Sequence, residues 1–208
     1  MSLNDVRDTG AEHTWELTPS GLHKGRLAIV CEVGEFDSEW GTKHKLYWSF
    51  QLTETKMEHE DRPFSVGEQL NISFGKNNGG EPSKLRGKIE SWRGKGFTDE
   101  EAREGIDLKA LVGTACMIHV THEPDRKDPT KVWPRINGIM EGKEEDTPPL
   151  NGESIYFSWD NPGDESVLPD FLQKKLGRFP GSKEFGGFGD LEEKPYDDTK
   201  GLDDDIPF

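Results

Sequence analysis

Lys43, Lys45 and Tyr47 alternate along the run GTKHKLYWSFQL. In an extended strand, residues two apart share a face. Two ammoniums then stand beside one phenol ring. Such a face attracts a phosphodiester backbone and offers a surface on which bases stack. Trp40, just before this run, supplies a second ring, and Lys76 a further cation. Arg86, Lys88, Arg93 and Lys95 form a second group, on a predicted helical connection. Trp133 and Arg135 share one face of a later run, opposite Val132 and Ile136. An ordinary solvated strand face has a similar composition, so this chemistry depends on the fold that carries it.

A different chemistry sits at Asp203-Asp204-Asp205-Ile206-Pro207-Phe208. Three carboxylates repeat the charge of phosphates, which disfavours a DNA contact. Ile206 and Phe208 suit an apolar pocket with a basic rim on a partner protein. Pro207 restricts the backbone states that binding must freeze. Metal chemistry has weaker support. His119 and His122 are three apart on a predicted strand and face opposite sides, and Asp125 lies in a polar hairpin. No Walker loop, nucleotide-binding glycine fingerprint or nucleophile motif occurs, and GGFG at 186–189 has no strand before it. We therefore expect no catalytic residue, no metal and no cofactor.

Five strands must position these groups. LHKGRLAIVCEV at 22–33 alternates, with Leu27, Ile29, Cys31 and Val33 on one face, and Gly25 suits a bulge or bend. Residues 42–52 form the second strand, with Leu46, Trp48, Phe50 and Leu52 inward. A polar loop at 53–65 leads to a third strand at 69–75, with Leu70, Ile72 and Phe74 inward. Ser83 caps a helix whose apolar face is Leu85, Ile89 and Trp92. Thr98-Asp99-Glu100-Glu101 is a capping-box signature. Strands at 115–122 and 131–140 follow. Three strands, a helical connection and two strands is the order of an OB-fold, a five-stranded Greek-key barrel with its helix between strands 3 and 4. That fold binds single strands on its strand 2–3 face and the 1–2 and 4–5 loops.

The expected fold class is mainly β, with an OB-fold domain at 21–142 after a flexible segment at 1–20. Residues 143–176 read as a linker with an extra strand and a short docking helix. The Gly-, Pro- and Asp-rich segment 177–208 reads as a disordered acidic tail. As Gly-rich coil it would have a reach of about 30 Å.

The net charge of −15 in 208 residues argues at first against a nucleic-acid partner, but its distribution is uneven. Residues 76–96 hold six basic and two acidic side chains, whereas 161–208 hold six basic and twelve acidic. Cys31 and Cys116 each lie in an apolar run and read as buried, reduced thiols. No apolar stretch approaches 18 residues and no signal-peptide core opens the chain. We expect a protein of the cytoplasm with no membrane partner.

Two resemblances sharpen these expectations. DDDIPF resembles the C-terminal tip of bacterial single-stranded DNA-binding proteins. In that family the tip recruits replication, recombination and repair enzymes. The runs LRGKIESWRGKGFTDEEAREGIDLKALVGTACMIHV, VWPRINGIMEG, IYFSWD and LPDFLQKKL are similar to phage-encoded OB-fold single-stranded DNA-binding proteins. This likeness spans roughly 21–185, with Glu90–Thr98 its most specific piece. It implies a non-enzymatic protein that coats single strands in a phage replication, recombination or repair system and recruits enzymes through the tip. A homo-oligomer is compatible with it, but the bacterial homotetramer does not carry over. The alternatives are a decoy that sequesters host repair enzymes through the tip and, more remotely, a metal-dependent nuclease.

Overall fold

Residues Gly21–Ser38 form one strand, β1, around which the other strands are arranged. The computed structural model describes residues 16–39, 41–58, 61–76, 79–125, 128–160, 165–177 and 179–180. Trp40 and the tip at 203–208 lie outside them, as do most of the segments expected at 1–20 and 177–208. The remaining strands are β2 (Gly41–Lys56), β3 (Pro63–Asn71), β4 (Ala115–Pro124), β5 (Val132–Glu141) and β6 (Ile155–Phe157). The fold is mainly β, a six-stranded sheet with few helices.

The strand order is β3-β2-β1-β4-β5, with antiparallel neighbours. Along one edge β1 pairs with β2 from Gly25 to Ser38. Along the other it pairs with β4 over Gly21–Arg26 and in parallel with β6 over Ile29–Cys31. Gly25 sits where β1 joins both β2 and β4. A Cβ there would lie 2.8 Å from the Gln51 carbonyl and 2.7 Å from Ile118 Cδ1, so close approach demands glycine.

A bulge at Ala28 corrects the expected grouping of Leu27 with Ile29, Cys31 and Val33. Leu27 pairs with Phe50 and Ile29 with Ser49, so one residue of β1 has no opposite number. The side-chain alternation inverts there. Leu27 and Val30 enter the main core with Trp48, Phe50, Ile118 and Ile139. Cys31 and Val33 point the other way, into a second core with Phe157, Trp159, Leu168 and Leu172.

The third strand also departs from expectation. β3 runs from Pro63 to Asn71 rather than 69–75, and buries Phe64, Val66 and Leu70. Glu68 interrupts the apolar series, but its carboxylate accepts from Trp48 Nε1 at 3.0 Å. Gly67 lies under Tyr47, where a Cβ would meet the phenol oxygen at 2.1 Å.

The sheet is open, since β3 and β5 form no ladder among the described residues. Helix α1 (Lys84–Arg93) packs against both strands. Its Lys88 Nζ donates to the Ile136 carbonyl on β5 at 2.8 Å and pairs with Glu68 on β3 at 3.0 Å. Ser91 donates to the Ile139 carbonyl at 2.8 Å. Ser83 caps the helix and Gly94 ends it with φ 67. A shorter helix, α2 (Asp99–Glu104), starts at a complete Thr98/Glu101 capping box.

The expected linker is firmly fastened. Arg26 donates to the carbonyls of Gly113 (2.8 Å), Thr147 (2.8 Å) and Pro148 (2.9 Å), and pairs with Glu144. Glu144 also accepts from the Ala115 N–H at 2.9 Å. Further on, β6 extends the sheet beside β1. Trp159 and Leu168, which precede the one-turn helix α3 (Asp170–Gln173), and Leu172 within it pack with Cys31 and Val33 in the second core. No helix of the described residues is long and apolar enough to cross a membrane.

Burial pushes the Cys31 thiol up to about 12, and raises that of Cys116 further. Both thiols should resist an aromatic disulfide reagent at neutral pH and react fully in denaturant, as followed by thiolate absorbance. At Gly142 a Cβ would lie 2.6–2.8 Å from the Cys116 backbone. Gly142→Ala should therefore cost about 1–3 kcal/mol, read as a lower urea midpoint.

Candidate nucleic-acid interface

β2 places Lys43, Lys45 and Tyr47 on its outer face, because Leu46, Trp48 and Phe50 fill the main core. Lys45 Nζ stands 4.9 Å from the centre of the Phe36 ring on β1, an ammonium over an aromatic face. Tyr47 is covered. Phe171 of α3 packs edge-on against it, with ring centres 5.6 Å apart at 76°. Burial raises the Tyr47 phenol above its usual range, and hydrogen bonding to Ser49 only partly offsets this. In this arrangement Tyr47 supports another ring and offers little free surface of its own.

The α1 group divides by burial. Arg86 is 4% exposed, and its guanidinium binds Glu90 at 2.7 Å and the Phe97 carbonyl at 3.2 Å. Lys88 is committed to the β3–β5 seam. Arg93 pairs with Glu101 at 2.8 Å and lies 4.0 Å from the Phe97 ring centre. Lys76 and Lys95 are exposed. Lys76 lies beyond the end of β3, and Lys95 directly follows the Gly94 cap. This group is thus mainly a structural lattice of cations, with two exposed ammoniums at its margins.

Trp133 and Arg135 occupy a third place, on β5, separated from β2 by β1 and β4. Trp133 is 49% exposed, and its indole N–H donates to Asp125 at 2.9 Å. Arg135 is exposed, 3.6 Å from Glu123. The sheet order therefore divides the expected contacts among β2, the α1 region and β5. His119 bonds to Asn137 and His122 to the Thr18 carbonyl. Among the described residues no group of three or more His, Cys, Asp or Glu could hold a metal ion.

Sequence reasoning expected an extra strand and a docking helix within 143–176 but assigned none of these residues to the nucleic-acid face. Glu32 of β1 pins this segment, accepting from Ser158 Oγ at 2.6 Å and from the Trp159 N–H at 2.9 Å. Gly177 closes it, donating to the Val33 carbonyl at 2.8 Å. Phe171 thereby comes to the β2 side of the sheet against Tyr47, with Lys175 Nζ 6.0 Å from its ring centre. The available signal was the run FLQKKL, in which Phe171 reads as part of an apolar helix face. Leu168 and Leu172 supply that face, whereas Phe171 stays 44% exposed.

No family model, curated protein or solved structure matches the chain.

Burial alone would raise the Glu90 carboxyl, but hydrogen bonds from Arg86 and the Phe97 N–H outweigh it and hold it below the usual 4.5. A carboxyl depressed by folding stabilises above its unfolded pKa, and this contribution fades as pH falls below about 4.3. Glu90→Gln should flatten the acid limb of a stability–pH curve measured by urea unfolding. Arg86→Ala leaves Glu90 without its partner and should cost about 3–5 kcal/mol. Lys95→Ala should stay within about 0.5 kcal/mol.

Proposed function

We propose that this chain is a non-enzymatic single-stranded DNA-binding protein built on an OB-type barrel. The observation that carries this reading is the strand order β3-β2-β1-β4-β5, with one long β1 shared by β2 and β4. In an OB-fold the helix lies between strands 3 and 4, and α1 follows β3 in the same way. Here α1 bridges the unpaired seam between β3 and β5 through Lys88 and Ser91. The outer β2 side carries lysines and aromatic rings, a composition suited to single strands without base preference.

In this reading the protein coats exposed strands in the cytoplasm of a phage-infected cell. It keeps them unpaired during replication, recombination or repair. Asp203–Phe208 then bring partner enzymes to the coated strand by seating Phe208 in an apolar pocket with a basic rim.

Titration with an oligo-dT should quench tryptophan fluorescence with salt-sensitive affinity. Six phosphate contacts would give a log–log salt slope near −4, as an order-of-magnitude expectation. Equal affinity for duplex, or no binding at low salt, would refute the proposal. Deleting Ile206–Phe208 should leave oligo-dT affinity intact while abolishing co-purification of repair enzymes. Loss of both activities together would contradict the division of labour between barrel and tip.

A further inference from the structure

Two exposed phenylalanines on the C-terminal extension have the same construction. Phe171, 44% exposed, meets the half-buried Tyr47 edge-on at 5.6 Å. Phe179, 45% exposed, meets the buried Trp159 edge-on at 5.7 Å and 83°. Each exposed ring is thus held by an aromatic ring beneath it. Edge-to-face support fixes a ring's orientation while leaving much of its surface uncovered.

Cations accompany these rings. Lys174 and Lys175 lie between the two phenylalanines in the chain, and both are exposed. Lys175 Nζ is 6.0 Å from the Phe171 ring centre. Among the described residues neither lysine forms an ion pair. Lys45 approaches the same side from β2, over Phe36, against which Gly177 packs. Asp170 is the one carboxylate on α3.

We infer that this extension, rather than bare strand β2, presents the principal base-stacking surface for single-stranded nucleic acid. Phe171 and Phe179 each receive a base, and Lys174 and Lys175 face the phosphates. The inference rests on the single-strand-binding reading and assigns that activity to residues beyond the five barrel strands. Rings interleaved with the exposed ammoniums of Lys174 and Lys175, which form no ion pair among the described residues, match a polyanion with exposed bases. An acidic peptide would use the lysines but leave the aromatic order without a role.

The test uses the full chain and a fluorescein-labelled oligo-dT, followed by anisotropy over a salt series. Phe171→Leu and Phe179→Leu should each weaken binding about 5- to 100-fold, whereas Phe171→Tyr should retain it. The double change Lys174→Gln, Lys175→Gln should reduce the log–log salt slope by about 1.4. These lysines are exposed, so this arm does not depend on the leucine variants folding. Parent-like affinity and slope in all variants would overturn the inference while leaving the proposed function intact. No binding by the parent protein would overturn both. If the variants affect binding of an acidic peptide but not oligo-dT, the Phe171–Phe179 surface is a peptide site and the inference fails.

Discussion

The fold depends on the first of two register shifts in β1, the extra residue at Ala28. Because the bulge at Ala28 inverts the alternation of β1, the strand supplies Leu27 and Val30 to one core and Cys31 and Val33 to another. Without that inversion, Cys31 and Val33 would point inward with Leu27, and the outer face would lose the apolar strip that Trp159, Leu168 and Leu172 cover. One strand can therefore serve both faces of the sheet, with a separate apolar core on each. The second layer in turn determines which side chains reach solvent beside β2.

Most arginines on the candidate surfaces are committed to the fold. Arg26 gathers the 142–150 segment, Arg86 is buried against Glu90 and Phe97, and Arg93 pairs with Glu101. Lysines form the freer set, at Lys76, Lys95, Lys174 and Lys175. The division follows from chemistry. A planar guanidinium with five donors satisfies several carbonyls at once, whereas an ammonium on a flexible stem remains readily hydrated. A count of basic residues over 76–96 therefore overstates the charge offered to a polyanion.

Much of the framework was legible in the sequence, but the faces were less so. β2, β4, β5 and α1 emerged from alternation, helical spacing and caps because Trp48, Ile118, Ile136 and Trp92 fit simple periods. β3 was misplaced because Gly67 and Glu68 break its apolar series. Glu68 is accommodated only by the indole of Trp48 and the ammonium of Lys88, which lie far away in the chain. The face of β1 was misread because a bulge at an alanine leaves no mark in composition. Lys43, Lys45 and Tyr47 were correctly placed on one face of β2, yet alternation within a strand does not say what later covers it. That cover comes from Phe171, more than a hundred residues downstream.

The parallel pairing of β6 with β1 cannot form until the chain has been synthesised to Phe157. Val33 leaves the ribosome about 120 residues before Ile155, which begins the strand paired with β1. At a typical 5–20 residues per second, the outward strip of β1 waits of the order of 6–25 s for its cover. Strands β1 to β5 all precede residue 142, so the main core can assemble first. During the interval the nascent chain displays an apolar strand surface and an unpaired edge at Ile29–Cys31. The length of that interval is set by how fast residues 34–155 are translated.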